Sequence, residues 1–143
     1  LLGKIYTDEE GHISKEELLK WEEESNIRYI GTSKDVRIEI KEADCIIFPS
    51  FYREGVPRSL IESASMGKPI LTTDNVGCRD IVEDGYNGYL AKPNDVESMV
   101  EVVEKFLSLD ENKQREMGNN GRKKVLKEFD EKIVINKYLE NLR

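Results

Sequence analysis

The chain has 143 residues and a formal net charge of −7, and its 38% hydrophobic content is enough to build a core. That length suits one domain, and the acidic balance excludes a general nucleic-acid binder, which would carry a basic face. The longest apolar run, Cys45-Ile46-Ile47-Phe48, falls far short of the roughly 20 residues of a transmembrane helix, no signal-peptide pattern is present, and two cysteines with one histidine form neither a disulfide framework nor a zinc site, which points to a cytoplasmic compartment.

In chain order, Leu1-Leu2-Gly3 reads as the end of a strand whose beginning lies outside the sequence. Ser14 with Glu17 forms a capping box, opening a helix to about Glu24 with Leu18, Leu19 and Trp21 as its apolar stripe. Ile27–Ile30 reads as a short strand closed by Gly31, and Asp35–Lys41 as a short helix. The continuous apolar run Cys45–Phe48 reads as a fully buried strand stopped by Pro49. Pro57 suits the first position of the next helix, which runs to Met66 with Gly67 as its stop. Pro69–Thr73 is a strand, Arg79–Glu83 a helical turn, and Gly88–Ala91 a last strand. Asp95 caps a helix to Ser108 with Val96, Met99, Val100, Val103 and Leu107 on one face, and two helices follow, Glu111–Glu128 and Asp130–Arg143. The basic run at Arg122-Lys123-Lys124 reads as a solvated helix face, and the Ile135, Tyr138, Leu139, Leu142 stripe has helical spacing and must pack on something. Alternation of strands and helices predicts an α/β fold, a Rossmann-like doubly wound parallel sheet with helices on both faces.

Ligands of such sheets bind beyond the carboxyl ends of the strands. The loop after Phe48 therefore carries the first candidate site: Pro49-Ser50-Phe51-Tyr52-Arg53-Glu54-Gly55-Val56-Pro57-Arg58-Ser59-Leu60-Ile61-Glu62. Gly55 allows close backbone approach. Arg58, Ser59 and Leu60 offer first-turn N–H groups, which bind anions, and Arg58 adds a cation; a diphosphate would fit. Glu54 and Glu62 frame that anion site, and carboxylates accept hydrogen bonds from hydroxyls. A ligand with sugar hydroxyls at both ends and a diphosphate between them is a nucleotide sugar.

The Glu54–Glu62 spacing, Gly55, Pro57 and Gly67-Lys68-Pro69-Ile70 resemble glycosyltransferase family 4, and so do Thr72-Thr73-Asp74-Asn75-Val76-Gly77-Cys78-Arg79-Asp80 and Gly85-Tyr86-Asn87-Gly88-Tyr89-Leu90. The resemblance extends upstream through Ile13–Trp21 and Arg28–Gly31 and covers most of the chain to about Asp95. It implies the C-terminal donor-binding half of a GT-B enzyme that retains anomeric configuration. Tyr52-Arg53-Glu54-Gly55-Val56-Pro57-Arg58-Ser59-Leu60 looks like bacterial enzymes of capsule, O-antigen and lipid-linked glycan assembly, which commonly use UDP-sugars. By position, Glu54 would be the catalytic carboxylate holding hydroxyls of the transferred sugar, and Glu62 would bind the ribose. Gly55, Val56, Pro57, Arg58, Ser59 and Leu60 would contact sugar and diphosphate, and the loop after Gly31 would lie near the base.

The family's first strand-helix unit, with its phosphate-binding Arg and Lys, has no counterpart here, nor has the acceptor domain. Residues 1–143 would thus be a partial nucleotide-sugar-binding domain, with 129–143 a helix for an absent domain or for a homodimer. The acceptor would be a glycan or a polyprenyl-diphosphate-linked sugar, reached at the inner face of the membrane. No Asp-x-Asp occurs, so no metal and no cofactor is expected beyond the donor, and the fragment alone would be inactive. A non-catalytic nucleotide-binding or dimerisation module is the alternative. A phosphoacceptor signalling domain would need an Asp where Pro49-Ser50 stands and is rejected, and a nucleotide-sugar epimerase lacks visible acid/base residues.

Overall fold

Helix α1 (Lys15–Glu24) begins where its chemistry demands. The Ser14 hydroxyl accepts the Glu17 N–H at 3.1 Å and the Glu17 carboxylate accepts the Ser14 N–H at 2.9 Å, a reciprocal capping box. The Ser14 backbone and hydroxyl bonds hold the Glu17 carboxyl below its ordinary pKa. The computed structural model describes residues 1–5, 13–52 and 55–141; His12 lies outside them. The chain divides into two units, Leu1–Val36 and Arg37–Arg143.

In the first unit Leu18 is buried and Trp21 half-buried, but Leu19 is exposed, which narrows the expected apolar stripe. The expected strand Ile27–Ile30 is absent. The segment instead pairs briefly, in the parallel sense, with the chain start: the Leu1 amino group donates to the Arg28 carbonyl at 2.6 Å and the Ile30 N–H to the Leu1 carbonyl at 2.9 Å. The contact runs on to Gly31, whose carbonyl accepts the Gly3 N–H, and at φ +72° this glycine turns the chain out of the extended path. The Tyr29 hydroxyl and N–H are tied to the Gly3 carbonyl and the Glu22 carboxylate.

The second unit opens with α2 (Arg37–Glu42) and holds, among the described residues, three parallel strands, β1 (Ile46–Phe48), β2 (Ile70–Thr73) and β3 (Gly88–Ala91), in the order β1-β2-β3. Ile46 pairs with Ile70, and Ile70 with Gly88. β2 is central and buried throughout. β1 is not the fully buried strand its sequence suggests, because it lies at the edge of this sheet and Ile47 is 49% exposed. Helices α3 (Arg58–Ser65), α4 (Cys78–Ile81), α5 (Val96–Leu107), α6 (Glu111–Glu128) and α7 (Glu131–Asn141) complete the chain.

Alternate residues of β2 feed two cores, as strand periodicity requires. Ile70 packs with Leu60 and Ala64 of α3, with Cys78, Ile81 and Val82 at α4, and with Val125 of α6. Leu71 packs with Tyr89, with Val102 and Phe106 of α5, and with Met117. Helices thus cover both faces of the sheet. The face that α5 buries is shifted from the expected one: Met99 and Val103 pack against the core, but Val96 and Leu107 are 73% and 68% exposed, while Val102 and Phe106 are buried. Val96 and Val100 instead line an open cavity of about 490 Å³ with Pro49, Phe51 and Thr73.

Helix α3 ends in a full Schellman motif. The Gly67 N–H donates to the Ala64 carbonyl at 2.9 Å and the Lys68 N–H to the Ser63 carbonyl at 3.1 Å, with Gly67 at φ +72°. Arg122 of α6 donates to the Ser65 carbonyl at 2.7 Å, and Lys124 pairs with Glu128 at 2.8 Å, so this basic run is partly engaged by the protein itself. On α7, Ile135, Tyr138 and Leu139 are exposed; Leu142 and Arg143 lie outside the described residues. Among the described residues no helix is long and apolar enough to cross a membrane.

Candidate functional site

The loop that leaves the carboxyl end of β1 leads into α3. Pro57 is the N-cap of that helix (φ −64°, ψ 124°) rather than its first residue. It has no side-chain acceptor to offer, so the N–H groups of Arg58 and Ser59 receive no cap from it. The N–H of Leu60, expected to be open, donates to the Pro57 carbonyl at 3.1 Å, and the Leu60 side chain is fully buried in the core. The anion-binding capacity of this turn therefore resides in Arg58 and Ser59, both exposed, at the positive end of the helix dipole.

Glu62 stands one turn along from Arg58, half-buried. Among the described residues neither its carboxylate nor the Arg58 guanidinium makes a hydrogen bond or ion pair. Gly55 is exposed, and a Cβ built there would meet no protein atom within 4 Å. Val56 packs against the α3 side of the core. Ser63 and Ser65 fit inside the structure by bonding back to the carbonyls of Ser59 and Ile61, each at 2.7 Å. Glu54, the carboxylate read as catalytic, lies outside the described residues together with Arg53. Gly31 belongs to the first unit, where its carbonyl accepts the Gly3 N–H at 2.8 Å.

Three side chains absent from the sequence-derived site hold this loop. The Thr72 hydroxyl donates to the Phe48 carbonyl at 2.6 Å, the Thr73 hydroxyl to the Ser50 carbonyl, and the Asn75 amide to the Tyr52 carbonyl at 2.6 Å. Nothing in a local window of sequence signals these bonds, since the partners are 23 or 24 residues apart. Their anchor is itself fixed: Asp74 donates its N–H to the Ala91 carbonyl at 2.7 Å, and its carboxylate pairs with Arg79 at 3.2 Å. The rings of Phe51 and Tyr52 stack with centroids 4.3 Å apart, both exposed.

Of the cysteines, Cys78 is buried, and Cys45 is half-buried with its thiol pushed up by burial, with the Asp44 charge adding to the effect. Among the described residues no group of three His, Cys, Asp or Glu side chains could hold a metal ion.

Residues 8–124 match the family model described as glycosyl transferases group 1. The N,N'-diacetylbacillosaminyl-diphospho-undecaprenol alpha-1,3-N-acetylgalactosaminyltransferase of Campylobacter jejuni is 29% identical over 80% of this chain and 30% of that protein. The capsular polysaccharide biosynthesis glycosyltransferase CapM of Staphylococcus aureus is 28% identical over 94% of this chain and 34% of that protein. The chain thus spans about a third of the length of the curated relatives it matches. Among solved structures, Anabaena HepE in complex with UDP superposes with a TM-score of 0.79 over 89% of this chain and 35% of that one, at 20% identity. Sucrose-phosphate synthase from Thermosynechococcus elongatus gives 0.80 over 99% and 37%, at 19% identity. At such identities the structural likeness is one of fold, and it is the Rossmann-like half of a GT-B protein. With the family model matched over residues 8–124, the chain belongs to the glycosyl transferases group 1 family.

Proposed function

We propose that this chain is the donor-binding part of a retaining glycosyltransferase that uses a UDP-linked sugar and extends a bacterial surface or lipid-linked glycan. The observation that carries the reading is the start of α3. There an exposed arginine, a first turn with no side-chain cap and a half-buried carboxylate with no partner among the described residues follow one another within eight residues. A diphosphate matches Arg58 and the N–H groups of Arg58 and Ser59. A ribose diol matches Glu62, one turn further along. The open space at Gly55 suits a sugar lying against the backbone, with Glu54 accepting its hydroxyls.

Charge that develops on the leaving diphosphate falls to the α3 N-terminus and Arg58, so the reading involves no metal. The acceptor, a glycan or polyprenyl-diphosphate-linked sugar, is held by residues beyond this chain, at the cytoplasmic face of the membrane, and this chain alone does not turn over. The capsule and lipid-linked-glycan enzymes among the relatives support that acceptor class.

Ligand-detected NMR with UDP, GDP and ADP tests the reading. Saturation transfer to UDP that disappears in Glu62→Ala is the expected result. Equal transfer in the variant removes Glu62 from the site, and no transfer to any nucleotide overturns the reading.

A further inference from the structure

Main-chain pairing between β1 and β2 ends at Phe48 and Thr72. The attachment between the two segments does not end there. Side chains of Thr72, Thr73 and Asn75 take the alternate carbonyls of Phe48, Ser50 and Tyr52 in turn. They continue as hydrogen-bond rungs where the two backbones no longer match. The last rung stops two residues before Glu54 in the sequence.

The rungs are built to hold. Thr72, Thr73 and Asn75 are all buried, so water competes little for the carbonyls. Both ends of the Asn75 amide are committed: its nitrogen donates to Tyr52 at 2.6 Å and its oxygen accepts the Val76 N–H at 2.9 Å. The Asn75 backbone is tied in turn to Thr73 at 2.8 Å and to Arg79 at 3.0 Å. The loop that follows β1 is therefore referenced to the rigid β2–α4 connection rather than to α3 alone.

We propose that Thr73 and Asn75 are positioning residues for donor recognition: they fix the path of residues 50–52, the stretch that leads in sequence to Glu54, the carboxylate read above as accepting hydroxyls of the transferred sugar. The proposal rests on the donor-site reading above. It separates two parts of the donor, because Glu62 and Arg58 sit on α3 and do not depend on these rungs. Loss of a rung should release the sugar and leave the nucleotide bound.

Asn75→Asp is the sharpest probe. It keeps the size and the bond from the Val76 N–H, but turns a donor into an acceptor facing the Tyr52 carbonyl. Thr73→Val deletes a hydroxyl at nearly constant shape, and Thr73→Ser retains it. In the 143-residue chain, hydrogen exchange of the amides of residues 50–55 reads the loop directly, and titration with UDP and with UDP-glucose reads the consequence. Exchange should accelerate at least tenfold in Asn75→Asp and Thr73→Val and stay at the wild-type rate in Thr73→Ser. UDP-glucose affinity should fall at least fivefold in the first two variants, while UDP affinity stays within twofold and the melting temperature of the Thr73 pair is matched. Unchanged exchange overturns the proposal, and so does faster exchange with UDP-glucose affinity intact. Failure of the wild-type chain to bind either ligand overturns the donor reading instead, and is told apart because the exchange arm needs no ligand. If Asn75→Asp does not fold, the comparison of Thr73→Val with Thr73→Ser decides between the same outcomes.

Discussion

Gly118 of α6 lies so close to Gly67 that a Cβ at position 118 would stand 1.9 Å from the Gly67 carbonyl oxygen. The contact is backbone against backbone, so no side chain can swing aside. Gly118→Ala should therefore push α6 off the end of α3 and cost about 3 kcal/mol or more, at the upper end of overpacking effects. Gly67→Ala is a different experiment, since its Cβ would meet nothing nearer than 3.9 Å. It should cost only the left-handed backbone strain, about 1–2 kcal/mol. Urea unfolding of the two variants checks the order; equal losses would contradict the steric account.

Asn87 is fully buried, donating to the Ile81 carbonyl at 2.8 Å and accepting the Glu83 N–H at 2.7 Å. It closes the turn between α4 and β3 from inside the protein. Asn87→Ala strands the buried Ile81 carbonyl and the part-buried Glu83 N–H and should cost about 1–3 kcal/mol. Asn87→Asp should be at least as harmful at neutral pH, because it removes the donor and buries a charge. Equilibrium denaturation midpoints decide, and a loss below about 0.5 kcal/mol would show that the turn does not need the side chain.

Cys45 should be a slow thiol. Burial raises its pKa above the ordinary value and Asp44 raises it further, so the reactive thiolate is scarcer at pH 8 than in a free cysteine. The iodoacetamide rate should sit below that of glutathione at pH 8 and keep climbing past pH 9. A plateau below pH 8.5 would contradict the assignment. Cys78, 2% exposed, should react only after unfolding.

Arg58 and Glu62 should fail differently. In the proposed site Arg58→Gln weakens UDP by about tenfold, the worth of a charge-assisted phosphate contact near 1.4 kcal/mol, and leaves uridine binding unchanged. Glu62→Ala weakens uridine and UDP alike. Titrations of both ligands against both variants make the test, and a common loss for the two substitutions would argue for a general effect on α3.

What the sequence made legible follows the range of the interactions. The Ser14–Glu17 box, the Asp95 cap, the Gly67 stop and α6 at Glu111–Glu128 all rest on partners a few residues apart, and each stands where the local chemistry put it. Burial is a tertiary property and read less well. Cys45–Phe48 carries the composition of an interior strand, yet its burial depends on what lies beside it. On α5 two apolar stripes overlap, and packing of Phe106 against the sheet selected the one containing Val102 over the one containing Val96 and Leu107. Near the candidate site, the placement of Arg58 and Glu62 on the first turns of one helix was readable from the loop-to-helix pattern. The bond from the Leu60 N–H to Pro57 was not, because it depends on how tightly the first turn winds. The Asn75–Tyr52 bond joins residues 23 apart and has no local trace.

The rungs from β2 to the loop have a practical corollary for anyone who would exchange recognition segments between relatives. Residues 48–52 and 72–75 are a single interlocked part, although 19 residues of sequence, Arg53–Leu71, lie between them. A graft that imports a foreign 49–55 segment onto the host's own Thr73 and Asn75 inherits hydroxyl and amide groups aimed at carbonyls that have moved. Chimeras should therefore be cut so that the two segments travel together.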